Sequence, residues 1–98
     1  MKFKTQGDEL FLSEKITLTH VSSLLEIMQK HIGQCREQVI INLREVSLMD
    51  INALQVLISA KKSAKKENKK IILSEIHPDL YKIFILSGID SIFKLKLD

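Results

Sequence analysis

The sequence predicts a single α/β domain spanning residues 1–98, a mixed central sheet with helices whose elements run in the order β-β-α-β-α-β-α-β. Three observations predict it. Two compact runs rich in β-branched residues, Val39 to Leu43 and Ile71 to Leu73, read as interior strands of a sheet. Apolar residues around those runs recur at helical spacing. Glycine and proline fall where one pattern gives way to the next, with no linker, repeat or low-complexity stretch to divide the chain.

Taken in order, Met1 to Thr5 and Glu9 to Leu12 flank Gln6-Gly7-Asp8, where glycine supplies the positive φ of a tight turn; the expectation is a β-hairpin. Ser13 to Leu18 reads as a loop. Val21, Leu24, Leu25, Met28 and Ile32 then mark a first helix, with Thr19 as its N-cap and Gly33 as its stop. Val39 to Leu43 is a strand expected to be buried on both faces. A short loop through Val46 and Leu48 leads to Asp50, and a second helix runs from Ile51 to about Lys66. After the strand at Ile71, His77-Pro78-Asp79 opens a third helix with Leu80, Ile83 and Phe84 on one face and Gly88 at its end. The tail alternates Phe93, Leu95 and Leu97 with Lys94 and Lys96, the pattern of a half-exposed final strand.

Composition narrows the function classes. Apolar residues make up 45% of the 98 and charged residues 28%, the balance of a chain that folds around a core. A net charge of +3 is too small to imply nucleic acid unless the charges cluster. One cysteine, Cys35, excludes an internal disulfide and suits a reducing cytoplasm. No apolar run approaches the roughly 20 residues of a membrane span, and no charged-then-apolar leader is evident. The expectation is a cytoplasmic protein.

The second helix carries the most information. Ala53, Val56, Leu57, Ala60 and Ala64 form a stripe of mostly small residues suited to close packing on a sheet. Ile51, Leu54 and Ile58 add a second stripe on one flank, which either a neighbouring helix or a partner protein must cover. Ile51 lies at the tip, where neighbours within a domain seldom reach. Asp50 is placed to cap the helix by accepting a backbone N–H, and Asn52 falls in the first turn among donors with no intrahelical partner.

Val39-Ile40-Ile41-Asn42-Leu43, Val46-Ser47-Leu48-Met49-Asp50, the helix ending in Lys61-Lys62-Ser63-Ala64-Lys65-Lys66, Ile71 to Leu73, Leu86-Ser87-Gly88-Ile89-Asp90 and Ile92-Phe93 arrive in one order. In that order and spacing the chain resembles the STAS family, and the resemblance implies the STAS fold. It is similar to the bacterial anti-sigma factor antagonists, or anti-anti-sigma factors, of that family. Antagonist-type members carry an aspartate at the position of Asp50, usually followed by two small hydroxyl residues, then Gly-Leu. Here those four positions read Ile51, Asn52, Ala53 and Leu54. The resemblance implies that a partner kinase, doubling as the anti-sigma factor, phosphorylates relatives at the position of Asn52 and so blocks binding. Asparagine has no hydroxyl to accept a phosphate, so the expectation is a constitutive binder, or a member regulated at Ser47, Ser59, Thr17 or Thr19.

What the resemblance implies for function is a protein-binding module in transcription regulation by partner switching, not an enzyme, with no cofactor and no metal. Its partner-binding residues would be Asp50, Ile51, Asn52, Gln55, Ile58, Ser59 and Thr17, facing an anti-sigma factor of the serine-kinase type. The alternative partner is the ATPase of an ABC-type phospholipid transport system, served by a STAS accessory subunit. A monomer or weak dimer is expected.

Lys61, Lys62, Lys65, Lys66, Lys69 and Lys70 cluster near the end of the second helix, where cations complement the macrodipole. With no interleaved aromatic to stack on bases, they read as a solvated end and not as a nucleic-acid site. His20, His31 and His77 lack zinc spacing and suit surface or capping roles, and Cys35, in a polar loop, is assigned no chemistry. Neither a Walker loop nor a G-x-S-x-G elbow is present.

Overall fold

The computed structural model describes residues 1–95. Strands β1 (Lys2–Gln6) and β2 (Glu9–Ser13) form an antiparallel hairpin, Gln6 opposite Glu9. Its two-residue loop starts at Gly7 with φ +60°, a conformation open to glycine at little cost. A 3-10 turn (Leu18–His20) runs directly into α1 (Val21–Gln34). Then come β3 (Gln38–Glu45), α2 (Ile51–Lys66), β4 (Lys70–Ser74), α3 (Pro78–Ser87) and the single turn α4 (Ile89–Ile92).

The sheet is mixed, ordered β1-β2-β3-β4, with β2-β3 and β3-β4 parallel, so among the described residues β4 is an edge strand and not the interior one its apolar run suggested. Both crossovers advance the same way across the sheet, so the right-handed rule puts α1 and α2 on one face. Under them lie Leu10, Leu12, Val39, Ile41, Leu43 and Leu73 from the strands. Leu24, Met28 and Ile32 of α1 and the Ala53, Val56, Leu57, Ala60, Ala64 stripe of α2 close on this surface, and Leu80, Phe84 and Ile89 complete the core. The alanines let α2 lie close to the strands.

One-sided coverage corrects the expectation that β3 is buried on both faces. Its outward residues differ: Ile40 is half-buried, Arg44 exposed, and Asn42 buried only because its amide donates to Glu9 Oε2 (2.8 Å) and Glu75 Oε2 (3.2 Å). A buried amide with both hydrogens paired costs little.

The helix starts and the chain's end also differ from the sequence reading. Thr19 does not cap α1; His20 occupies that position, and Thr17 heads the preceding 3-10 turn; nor does Gly33 stop the helix, which runs through it to Gln34 and ends at Cys35. Gly88 ends α3 in the left-handed region, φ +82°, as expected of its glycine. A final strand is absent at Phe93–Leu95. The amide of Phe93 donates to the Ile89 carbonyl and that of Leu95 to the Asp90 carbonyl, so these groups are spent on helix-terminal turns and not on a ladder. Lys94 has φ +54°, which reverses the chain and turns both Phe93 and Leu95 toward the core. Lys96 and Leu97 lie outside the described residues.

Candidate functional site

The tip of α2 is assembled from two loops. Ile16 bridges Met49 in parallel, its N–H donating to the Leu48 carbonyl (3.0 Å) and its carbonyl accepting from Asp50 (3.1 Å). Both Ile16 and Met49 are buried, so this bridge is anchored in the core. It carries the 3-10 turn alongside the start of α2.

Asp50 then joins the two elements through its carboxylate. Oδ1 accepts from the Ala53 N–H (3.0 Å), the N-cap bond of α2, while Oδ2 accepts from the Leu18 N–H (2.7 Å) at the start of the 3-10 turn. Those donors, Ala53 first, then Leu18 and Asn52, hold the carboxyl below its ordinary range despite the opposing effect of desolvation. Asp50 is therefore a fixed anion, and the sequence reading of it as a cap accounts for only half its role.

Around this anion the surface is apolar. Ile51 is 65% exposed, Leu18 63% and Leu48 36%; elsewhere the large exposed aliphatics include Ile85 and Leu86 of α3. Asn52, Gln55 and Ser59 are exposed along α2, and Thr17 is half-buried. Ile58 is half-buried against the core and Leu54 fully buried, so the flanking stripe divides: the domain covers Leu54 and most of Ile58, but leaves Ile51 open. The sequence pointed to the Ser13 to Thr19 loop beside the helix tip but did not single out Leu18 or Leu48. Their signal was an aliphatic residue inside each polar loop, with no periodicity to say whether it turned in or out.

Groups that chemistry would need are engaged elsewhere. Thr17 Oγ lies 3.1 Å from Thr19 Oγ and 3.5 Å from His20 Nδ1, but that nitrogen already accepts the Thr17 N–H (3.0 Å). His31 proves buried, contrary to the surface or capping role expected of it, with Nε2 3.0 Å from the Asp8 carbonyl. Beside it Cys35, just past α1 as expected, is buried too; burial first, then the Asp8 charge, pushes its thiol up, while Lys69 opposes this. A thiol so placed is a poor nucleophile. His77 does cap, accepting the Asp79 N–H at the start of α3. Among the described residues no group of three or more histidine, cysteine or acidic side chains could hold a metal, and no helix is long and apolar enough to cross a membrane.

The lysine cluster is less uniform than the sequence suggested. Lys61 donates to the Ile92 carbonyl and sits 5.1 Å from the centre of the Phe93 ring. Lys69 donates to the Ile32 carbonyl at the end of α1 (2.6 Å) and pairs with Glu67 (3.0 Å). Lys62, Lys65, Lys66 and Lys70 are exposed as expected.

Comparison with known proteins places this architecture. Over 94 residues the chain is 26% identical to anti-sigma-B factor antagonists of Listeria monocytogenes and Listeria innocua, covering 94% of this chain and 81% of theirs. Its fold matches a sulfate transporter family protein from Wolinella succinogenes with a TM-score of 0.75 at 16% identity, over 87% of this chain and 69% of that one. It also matches the unphosphorylated anti-sigma factor antagonist SpoIIAA with a TM-score of 0.67 at 15% identity, over 93% and 96% of the two chains. The family model for the STAS domain matches residues 3–98, and the chain belongs to that family.

Proposed function

We propose that the chain is a cytoplasmic, non-catalytic regulatory module that acts as an anti-sigma factor antagonist, docking the tip of α2 on an anti-sigma factor of the serine-kinase type. The observation that carries this reading is the pair of exposed aliphatic side chains, Leu18 and Ile51, fixed on either side of the Asp50 carboxylate. Aliphatic side chains left in water at a rigid, capped helix end are the material of an interface hot spot. Asn52, Gln55 and Ser59 extend the contact along α2, and Thr17 borders it. The antagonists of Listeria, similar over nearly the whole chain, support the assignment.

Asn52 makes this a constitutive binder. A phosphate there would add nearly two negative charges at the helix start; an asparagine keeps hydrogen-bonding capacity and never changes charge. The same residue favours a second reading, an accessory subunit held permanently on the ATPase of an ABC-type phospholipid transporter, since such a subunit needs no covalent switch.

Affinity capture from the source bacterium, with Ile51→Asp as the control bait, tests both. Recovery of a histidine-kinase-like ATPase by the native chain, and its loss with the variant, supports the antagonist. Recovery of an ABC ATPase with its permease supports the accessory subunit and overturns the antagonist. Equal capture by both baits removes the α2 tip from the interface.

A further inference from the structure

The helical layer stops short of β1. Helix α1 packs Leu24, Met28 and Ile32 inward, with Leu10 and Leu12 of β2 beneath the same layer, while all five residues of β1 are exposed. Phe3, 54% exposed, points to the helical side of the sheet with Thr5, because they pair with Leu12 and Leu10. Between them and α1 lies a groove of about 460 Å³ bordered by Ile27, Glu26, Lys30 and Gln34. Lys2 and Lys4 project from the opposite side of β1, where Arg44, Glu45 and Glu75 also reach the surface farther from the edge, on β3 and beyond β4.

The backbone of β1 is open as well. A two-residue loop makes Gln6 and Glu9 the hydrogen-bonded pair of the hairpin, so ladder alternation turns the N–H and C=O groups of Phe3 and Thr5 outward. Among the described residues no other backbone group meets them. An edge with free backbone groups and an exposed aromatic is a template for another strand.

Charge decides which strand. A second copy of β1 laid antiparallel on the first and centred on Phe3 sets Lys2 against Lys4; centred on Lys4, it sets Lys4 against Lys4; centred on Thr5, it avoids like charges but overlaps only over residues 4–6. Like charges directly opposite destabilise a pair, so self-pairing is disfavoured. Lys2 meets Glu14 at 3.6 Å, a pairing between two exposed side chains that exchanges readily, and Lys4 sits 5.1 Å from the centre of the Phe11 ring.

We propose that the open edge of β1 docks an extended segment of another protein in which acidic and aliphatic residues alternate. The carboxylates meet Lys2 and Lys4 on one side of the sheet, and the aliphatic side chains enter the groove beside Phe3 and Ile27 on the other. Backbone pairing supplies affinity, and the alternation supplies specificity. This surface is separate from the α2 tip and does not depend on the function proposed for it.

The test uses two blocked hexapeptides, one alternating glutamate with valine and the other lysine with valine, titrated into the ¹⁵N-labelled chain. The acidic peptide is expected to shift the amides of residues 2–6 and slow solvent exchange at Phe3 and Thr5 several-fold, while the basic peptide leaves them unmoved. In the double variant Lys2→Glu/Lys4→Glu, whose substitutions are on exposed side chains, the preference reverses. Equal responses to both peptides, no response of β1 at millimolar peptide, or shifts confined to residues 61–70 would overturn the proposal. So would sedimentation of the free chain as a dimer with its β1 amides protected.

Discussion

Replacing Ile51 by aspartate separates docking from folding, because the two depend on this side chain to very different degrees. In the free protein Ile51 is 65% exposed, and a surface substitution of that kind changes stability by no more than about 0.5 kcal/mol. Its place in the first turn of α2 favours a carboxylate, by about 0.3–1 kcal/mol through the helix dipole. The urea midpoint of the variant should therefore equal or slightly exceed that of the native chain. In the complex the same isoleucine is an apolar anchor, and loss of such an anchor costs about 2 kcal/mol or more. That is a weakening of about 30-fold or more in Kd, and a desolvated carboxylate opposite an apolar pocket adds to it. Circular dichroism in urea reads the first quantity and calorimetric titration with the captured partner the second. An unchanged Kd would refute the placement of the interface; a collapse of the urea midpoint would show that Ile51 is a packing residue.

Leu57→Ala, in contrast, removes a fully buried side chain from the inner face of α2 and should cost about 2–5 kcal/mol in urea unfolding. Because the folded-state pKa of Asp50 is depressed, its stabilising effect is present above the unfolded-state value and is lost as pH falls through the folded one. Acid titration of the native chain should show that loss, and Asp50→Ala should lack it while freeing the amide of Leu18 to exchange. Cys35 should react with an alkylating reagent at the rate of global opening and not as a surface thiol, so denaturant should accelerate it steeply. Intact-mass measurement of the chain from its native host should show no phosphate; stoichiometric phosphate on Ser47, Ser59, Thr17 or Thr19 would contradict the constitutive binder.

The elements legible in the sequence were those with a strong local cause. Gly7 and Gly88 marked a turn and a helix end that require positive φ, and Pro78 marked a helix start. The alanine stripe of α2 announced its contact with the sheet, and Asp50 its cap. Features created by tertiary contact were not legible. Alternation in Phe93 and Leu95 suited a strand equally well, and only the helix-terminal turns after α4 decided against it. Burial of His31 and Cys35 depends on the Asp8 carbonyl, 23 and 27 residues away in sequence. The candidate site was half readable: Ile51 stood out as the tip of an over-wide apolar arc, whereas Leu18 reached its side only through a bridge between Ile16 and Met49 and a carboxylate shared across 32 residues.

Hydrogen exchange across the chain, with and without the captured partner, addresses the docking claim most directly. Slowed exchange at residues 17–18 and 48–55, with the lysine-rich end of α2 and the α3 surface unchanged, is the predicted footprint. Protection confined to residues 61–70 or to α3, with the amides around Asp50 exchanging as in the free protein, would contradict it.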